Sequence, residues 1–418
     1  MKVLVVGGGG REHAIAWHLS RSPRVTELFC APGNAGIAKI ATCVDIGAAD
    51  IDRLVSFSNE VGIDLAVIGP EDPLCRGIVD RFEAEGLRVF GPTKDAAEIE
   101  RSKVFSKKIM TRYLIPTAQA RFFDDHGRAM SYVETADYPL VIKADGLAAG
   151  KGVFVCADFD AATEALKVCM IDSRFGDSGA TVLVEDFLQG AEASVLAFTD
   201  GKTIAVLPTA RDYKRAFDHD AGPNTGGMGS FSPADTLSQE TMDQVVGQIL
   251  VPVVHAMNRE GRTFKGVLYT GLMITKGGPK VVEFNCRFGD PEAQAVLMRL
   301  KTDLVDIIDA VLDGNLADIE LEFDERHACC VVMASENYPE SSPLGAVIEG
   351  LEDVEMGEEV QVFHGGTALR GDKPVTAGGR VLGVTALGQD LADSRARAYT
   401  AAGKISWPGA RMRADIGT

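Results

Sequence analysis

The 418-residue chain has no uninterrupted apolar stretch long enough to span a bilayer, and its first apolar run, residues 3–6, stops at four glycines followed by Arg11 and Glu12. A spanning helix needs about 20 apolar residues and a secretory leader about 7–15, so neither is expected. The 8 cysteines are scattered, with no C-x-x-C pair, and a chain of this size needs no disulfide staples, which points to a reduced, cytoplasmic setting. Positive charge is short: 42 Lys and Arg face 60 Asp and Glu, a formal charge of −18. That surface repels phosphate backbones and anionic lipid, so neither nucleic acid nor membrane is an expected partner. No Ser-His-Asp or Cys-His motif is present, and the 7 histidines lack metal-ligand spacing, which removes the usual protein nucleophiles and zinc sites. Repeats and low-complexity tracts are absent too. An anionic small substrate would need local cations and free backbone amides acting against the overall field.

What is present is an ordered composition, 46% hydrophobic and 24% charged, in a chain long enough for two to four domains. Residues 3–6, 27–30, 65–68 and 88–90 read as strands, with helices after Gly10, Asp50 and Pro73, a βαβ series and hence a parallel sheet. The sequence then predicts one helix over 94–113. Mixed strands follow, with long helices over 160–169 and 238–259, an α+β region with antiparallel sheets. Strands over 327–334, 360–363 and 380–386 and a helix over 391–402 make a small closing domain. The fold class is thus α/β and α+β multidomain, with expected units 1–102, 103–325 and 326–418.

Gly7 to Gly10 join a strand to a helix, where amides and the helix N-terminus can hold a phosphate. A dinucleotide pattern would place its third glycine at Glu12, and the second strand ends in Ala31-Pro32-Gly33 without a ribose-binding carboxylate, so a dehydrogenase is demoted. Residues 143–152 form a glycine-rich turn between two apolar runs. Gly146 and Gly150 bracket three residues and Gly152 follows Lys151, so the spacing is not that of a Walker loop. A cationic β-hairpin able to fold over nucleotide phosphates remains, alongside a plain solvent-exposed turn.

Residues 281–287 alternate with period two, which places Val282, Phe284 and Cys286 on a core face and Glu283, Asn285 and Arg287 on the other. A carboxylate and an amide oxygen two residues apart suit Mg²⁺ shared with nucleotide phosphates, and the arginine adds charge for a transferring phosphoryl group. Asp290 and Glu292 add carboxylates. The strand ending in Glu185, Asp186 and Leu188, followed by Glu192, could serve as an adenine hinge with a ribose carboxylate, although a plain strand end with an acidic turn is the safer reading of the residues alone. Asp212, Lys214 and the loop containing Gly226 and Gly227 supply a patch that could seat a carboxylate or phosphate, with a surface charge cluster beside a loop as the ordinary alternative. If ATP phosphorylates a carboxylate, the acyl phosphate is itself the electrophile, and the site needs only charge neutralisation, positioning and water exclusion.

These motifs, together with Gly9-Gly10-Arg11-Glu12-His13, Gly69-Pro70-Glu71 and Gly378-Gly379-Arg380, resemble the glycinamide ribonucleotide synthetase family of ATP-grasp ligases from end to end. The resemblance implies an ATP-grasp fold with an N-terminal Rossmann-like domain, a mobile lid at about 118–186 and a small C-terminal domain. It implies ligation of glycine to 5-phosphoribosylamine through glycyl phosphate, in purine synthesis, with ATP and Mg²⁺ or Mn²⁺. On matching positions Lys103 and Lys143 hold ATP phosphates, Glu185, Asp186 and Leu188 the hinge, and Glu192 the ribose. Glu283 and Asn285 ligate the metal, with Arg287, Lys143 and Asp212 catalytic. Asp212, Lys214, Gly226, Gly227, Asp290 and Glu292 lie near the substrates, while Gly8, Gly9, Gly10, Asn34, Gly36 and Glu71 take the phosphoribosylamine. A carboxylase or transformylase of the same superfamily is the runner-up. The strand over 266–275 offers no acidic ligand, leaving a second metal's ligands open. A monomer is expected, with a dimer left open, and the end at Thr418 implies no fused downstream domains.

Overall fold

The computed structural model describes residues 1–147, 152–234 and 237–418. Elements β1 (Lys2–Gly7), α1 (Gly10–Ser20), β2 (Glu27–Pro32), β3 (Thr42–Cys43), α2 (Ile51–Val61), β4 (Leu65–Ile68), α3 (Glu71–Arg76), α4 (Ile78–Ala84) and β5 (Val89–Phe90) build a parallel sheet of order β3-β2-β1-β4-β5. Leu4 and Val6 join one apolar core with Leu54 and Phe82, and Val3 and Val5 another with Ile15 and Leu19. Both sheet faces are therefore covered, which is why the run is apolar throughout rather than alternating. α2 starts where the Asp50 carboxylate accepts from Arg53 N and stops at Gly62, whose φ of 71° suits a residue without Cβ.

The helix expected over 94–113 is instead two, α5 (Glu98–Arg101) and α6 (Lys103–Arg112). Ser102 is extended between them, its Oγ accepting from Phe105 N and donating to Asp145 Oδ2. Charged periodicity continues across this break, so only the capping geometry reveals it. A second sheet, in the region expected to form the lid, contains β6 (Ala120–Phe123), β7 (Leu140–Ala144), β8 (Val153–Cys156) and β9 (Val182–Asp186) in the order β6-β9-β7-β8, backed by α7 (His126–Val133) and α8 (Phe159–Leu166). β7 and β8 pair antiparallel with Lys143 opposite Val153, as the hairpin reading requires. The tip of that hairpin, residues 148–151, lies outside the described residues.

β10 (Ala191–Thr199) and β11 (Ile204–Val206) open the next sheet; β12 (Arg211–Asp212), β13 (Arg215–Phe217), β14 (Ala221–Asn224) and β15 (Gly229–Ser232) follow. The helical run α9 (Gln239–Val245) and α10 (Val251–Arg259), joined by a π-helical turn, leads to β16 (Gly266–Thr275) and β17 (Gly278–Asn285), completing the order β11-β10-β16-β17. One expectation fails in β17. A bulge sets Leu272 opposite Val281 and Gly271 opposite Glu283, so the phase slips by one residue. Val281, Phe284 and Cys286 enter the core, and Val282, expected there, borders the cleft. Glu283, Asn285 and Arg287 still share the open side.

After α11 (Glu292–Arg299) and α12 (Leu304–Asp313) come β18 (His327–Ala334), β19 (Val360–His364), β20 (Thr367–Arg370), β21 (Lys373–Thr376), β22 (Arg380–Gly388) and α13 (Leu391–Ala402). The closing sheet has the order β12-β15-β18-β22-β19, so two of its strands come from the middle of the chain. This interleaving carries the 211–232 segment to the junction of all three regions. No described helix is long and apolar enough to cross a membrane.

Candidate active site

A cleft of about 840 Å³ runs between the lid sheet, β17 and the loop after β12, bordered by Lys143, Glu185, Asp212, Glu283, Asn285 and Arg287. The Arg287 guanidinium is fixed by ion pairs with Glu71 at 3.0 Å and Glu100 at 2.9 Å, and donates to Asn285 Oδ1 at 3.3 Å. Burial disfavours the Glu71 anion, but Arg287 and Arg11 outweigh it and hold the carboxyl at about 2. Glu283 faces Lys214 at 3.6 Å; burial opposes its ionisation, and Lys214, Lys143 and Lys103 keep its pKa low. Two protein oxygens, partly neutralised by cations and open to a cleft, fit Mg²⁺, which keeps to one or two protein ligands plus phosphates and water. No group of three or more His, Cys, Asp or Glu among the described residues could hold a metal ion.

On the lid side, Lys143 Nζ lies 2.9 Å from Glu185 Oε2 and donates to Val282 O at 3.1 Å, while Lys103 Nζ donates to Gly146 O at 2.8 Å. Asp186 ends β9, and Phe187, Leu188 and Glu192 border the same cleft along the turn into β10. Toward the other wall, burial pushes the Asp212 carboxyl up to about 7 against the pull of Lys214. Glu292, almost wholly buried, accepts from Ser194 Oγ at 3.2 Å, and Ser194 also bonds Tyr269 Oη at 2.8 Å. Gly227, at φ 115°, lies so close to Pro291 that a Cβ would stand 2.4 Å from the ring, hence the glycine.

A second cavity of about 280 Å³ lies between the glycine turn and the closing domain, bordered by Gly8, Gly9, Gly10, Gln294, Gly365 and Gly366. It shares Asp290 and Arg380 with the main cleft. Arg380 pairs with Asp290 Oδ2 at 3.3 Å and donates to Gly226 O at 2.7 Å; Gln294 donates to Asp290 Oδ1 at 2.9 Å, and its own carbonyl oxygen has no partner among the described residues. Glu12 accepts from Gly9 N at 2.6 Å, so a carboxylate takes the amide a dinucleotide pyrophosphate would need. Asn34 and Gly36 border neither cavity. Asn34 donates to Gly8 O at 3.0 Å and His364 O at 2.7 Å and accepts from Gly36 N and Ile37 N, spending its amide on backbone. Gly36 packs on the rings of His13 and His364.

Sequence reasoning did not single out Glu100, Lys107, Gln294 or Arg380 as site residues. Arg380 carried a signal, standing after paired glycines in a motif already noted; the others sit on helices whose polar positions look like solvated faces.

A strand carrying Glu283, Asn285 and Arg287, facing Lys143 of an antiparallel strand pair and Lys103 of α6 across a cleft that Arg11 and Glu71 of a parallel-sheet domain also border, has the architecture of an ATP-grasp enzyme. Family models for phosphoribosylglycinamide synthetase match the chain at 1–100 (N domain), 101–293 (ATP-grasp domain) and 328–418 (C domain). The chain belongs to that family. It is 50% identical over 416 residues to a phosphoribosylamine–glycine ligase of Caldanaerobacter subterraneus, covering 100% of this chain and 99% of the relative. A Rhodopirellula baltica protein of the same name is 51% identical over 421 residues, with 99% and 96% covered. The crystal structure of the Thermotoga maritima phosphoribosylamine–glycine ligase superposes with a TM-score of 0.86 at 31% identity, each chain covered 100%. The biotin carboxylase domain of a Hydrogenobacter thermophilus carboxylase, solved with MgADP and bicarbonate, shares the fold at TM-score 0.76 and 16% identity, covering 98% and 91%.

Proposed function

We propose that the two joined cavities ligate glycine to 5-phosphoribosylamine at the expense of ATP, giving glycinamide ribonucleotide, ADP and phosphate, the phosphoribosylamine–glycine ligase step of purine biosynthesis. One observation carries this assignment to the two chambers: the cleft bearing Glu283, Asn285 and Arg287 meets the glycine-lined cavity at a single pair, Asp290 and Arg380. In this reading Lys103 and Lys143 neutralise nucleotide phosphates; Glu185, Asp186 and Leu188 line the adenine and Glu192 the ribose. Glu283 and Asn285 hold Mg²⁺ or Mn²⁺, which when bound supplies charge neutralisation at the phosphates. Asp212, Lys214, Gly226 and Gly227 seat glycine, whose carboxylate oxygen takes the γ-phosphoryl group and releases ADP.

The amine of phosphoribosylamine then attacks the acyl carbon of glycyl phosphate, the C–O bond to phosphate breaks, and the amine proton leaves. Asp290 stands at that junction, Glu292 borders the main cleft, and Arg287, anchored by Glu71, offers charge to the departing phosphate. Gly8, Gly9 and Gly10 present backbone to the sugar phosphate opposite Gly365 and Gly366, while Asn34 and Gly36 act by positioning that turn. The units 1–102, 103–325 (lid 118–186) and 326–418 act together in the cytoplasm, as a monomer or a dimer. Incubation with ATP, Mg²⁺, phosphoribosylamine and either glycine or bicarbonate tests the reaction. Glycine-dependent ADP release is expected; release that requires bicarbonate and ignores glycine overturns it.

A further inference from the structure

We propose that Lys107 is a positioning residue for nucleotide phosphates: it cancels the buried charge of Glu185 and so keeps the ammonium of Lys143 available to the nucleotide. The inference rests on ATP binding in the cleft and not on which acceptor is ligated. Lys107 Nζ lies 3.1 Å from Glu185 Oε1 and Lys143 Nζ 2.9 Å from Glu185 Oε2, and the three side chains are only 3–6% exposed. Two positive charges and one negative leave one positive charge in a desolvated wall of the cleft. Without Lys107 the carboxylate would hold Lys143 in a neutral pair, with one oxygen unpaired, and little field would remain for phosphate.

Lys107 itself is spent. Its ammonium also donates to Thr117 Oγ1 at 2.7 Å and Ala118 O at 3.2 Å, which marks it as an anchor rather than a ligand. The same anchor reaches the metal strand: Thr117 Oγ1 donates to Val281 O at 2.8 Å, and Lys143 donates to the next carbonyl, Val282 O, at 3.1 Å. These two carbonyls lie in the bulge that precedes Glu283. One lysine therefore ties lid, hinge strand and metal strand together.

The test measures binding of a non-hydrolysable ATP analogue with Mg²⁺, and of adenosine, by calorimetry to the full-length protein. Lys107→Met is expected to lose at least about tenfold in analogue affinity, the scale of unbalancing a buried charge set, while adenosine affinity holds. Lys107→Arg retains most of the affinity. The double variant Lys107→Met/Glu185→Gln, which again leaves one positive charge, regains analogue affinity relative to Lys107→Met. A merely structural lysine would lower the melting temperature and leave the ratio of analogue to adenosine affinity unchanged; that result overturns the proposal. If Lys107→Met does not fold, the double variant decides, since it lacks the unpaired carboxylate, and it is read as the ratio of analogue to adenosine affinity because Glu185 also lines the adenine. A ratio near that of the parent supports the proposal, and a ratio at least about tenfold lower refutes it.

Discussion

Arg287 illustrates how single residues work here: its charge is set by Glu71 and Glu100, partners 216 and 187 positions away. Pinned on both sides, the guanidinium has its orientation set by the protein, which would lower the reorganisation needed in the proposed phosphoryl transfer. Glu283 is different. Its carboxylate faces the cleft, so Glu283→Ala removes the charged member of the proposed metal site without leaving a core cavity. We expect turnover to fall by more than about 100-fold, since even indirect partners of metal sites cost 10–100-fold, with an unchanged melting temperature. Near-wild-type ADP release in that variant counts against the metal strand. Arg380 joins the two cavities, so Arg380→Ala should raise the KM for phosphoribosylamine about 10- to 100-fold, the scale of lost hydrogen bonds to a charged group. The KM for ATP should hold; a rise confined to ATP would contradict the division of labour between the chambers.

Among elements, the break at Ser102 has the clearest consequence. Its hydroxyl caps α6 and bonds Asp145 at the end of the lid strand, and Asp145 Oδ1 accepts from Val104 N at 3.1 Å. Ser102→Ala should therefore cost about 1 kcal/mol, the usual worth of an N-cap, read as a shifted urea midpoint at constant slope. No loss would mean that solvent or Asp145 replaces the cap. The sequence pattern reached the strands of this region but not the break, because polar periodicity is the same on either side of it. It also reached the polar face of β17 but not Val282, because a bulge depends on the partner strand and period two is blind to it.

Across the whole molecule, the parallel-sheet domain meets the closing domain through two buried histidines. His364 N donates to His13 Nδ1 at 2.7 Å, and Asn34 bonds His364 O. Burial, aided by Lys39, depresses His364 from 6.5 to about 3, and burial with His364 depresses His13 in the same direction. Between those pH values the unfolded chain carries the proton and the folded chain does not. The stability from this seam is thus full above pH 6.5 and lost as pH falls toward about 3. Denaturant melts across that window should show a shallower acid decline in His364→Asn than in the parent; equal slopes would place the acid sensitivity elsewhere.

The parallel sheet, the hairpin and the triplet Glu283, Asn285 and Arg287 were legible in residue order alone, because burial on one or both faces leaves a short-range period in the chain. Asn34 was legible as a motif but not in its role, since its amide turned out to serve backbone. The entry of β12 and β15 into the closing sheet, the pairing of Arg287 with Glu71 and Glu100, and the placing of Lys107 beneath Glu185 were decided only by tertiary structure. Those contacts depend on how separate layers dock, and a charge on a helix reads the same in sequence whether it meets water or a buried partner.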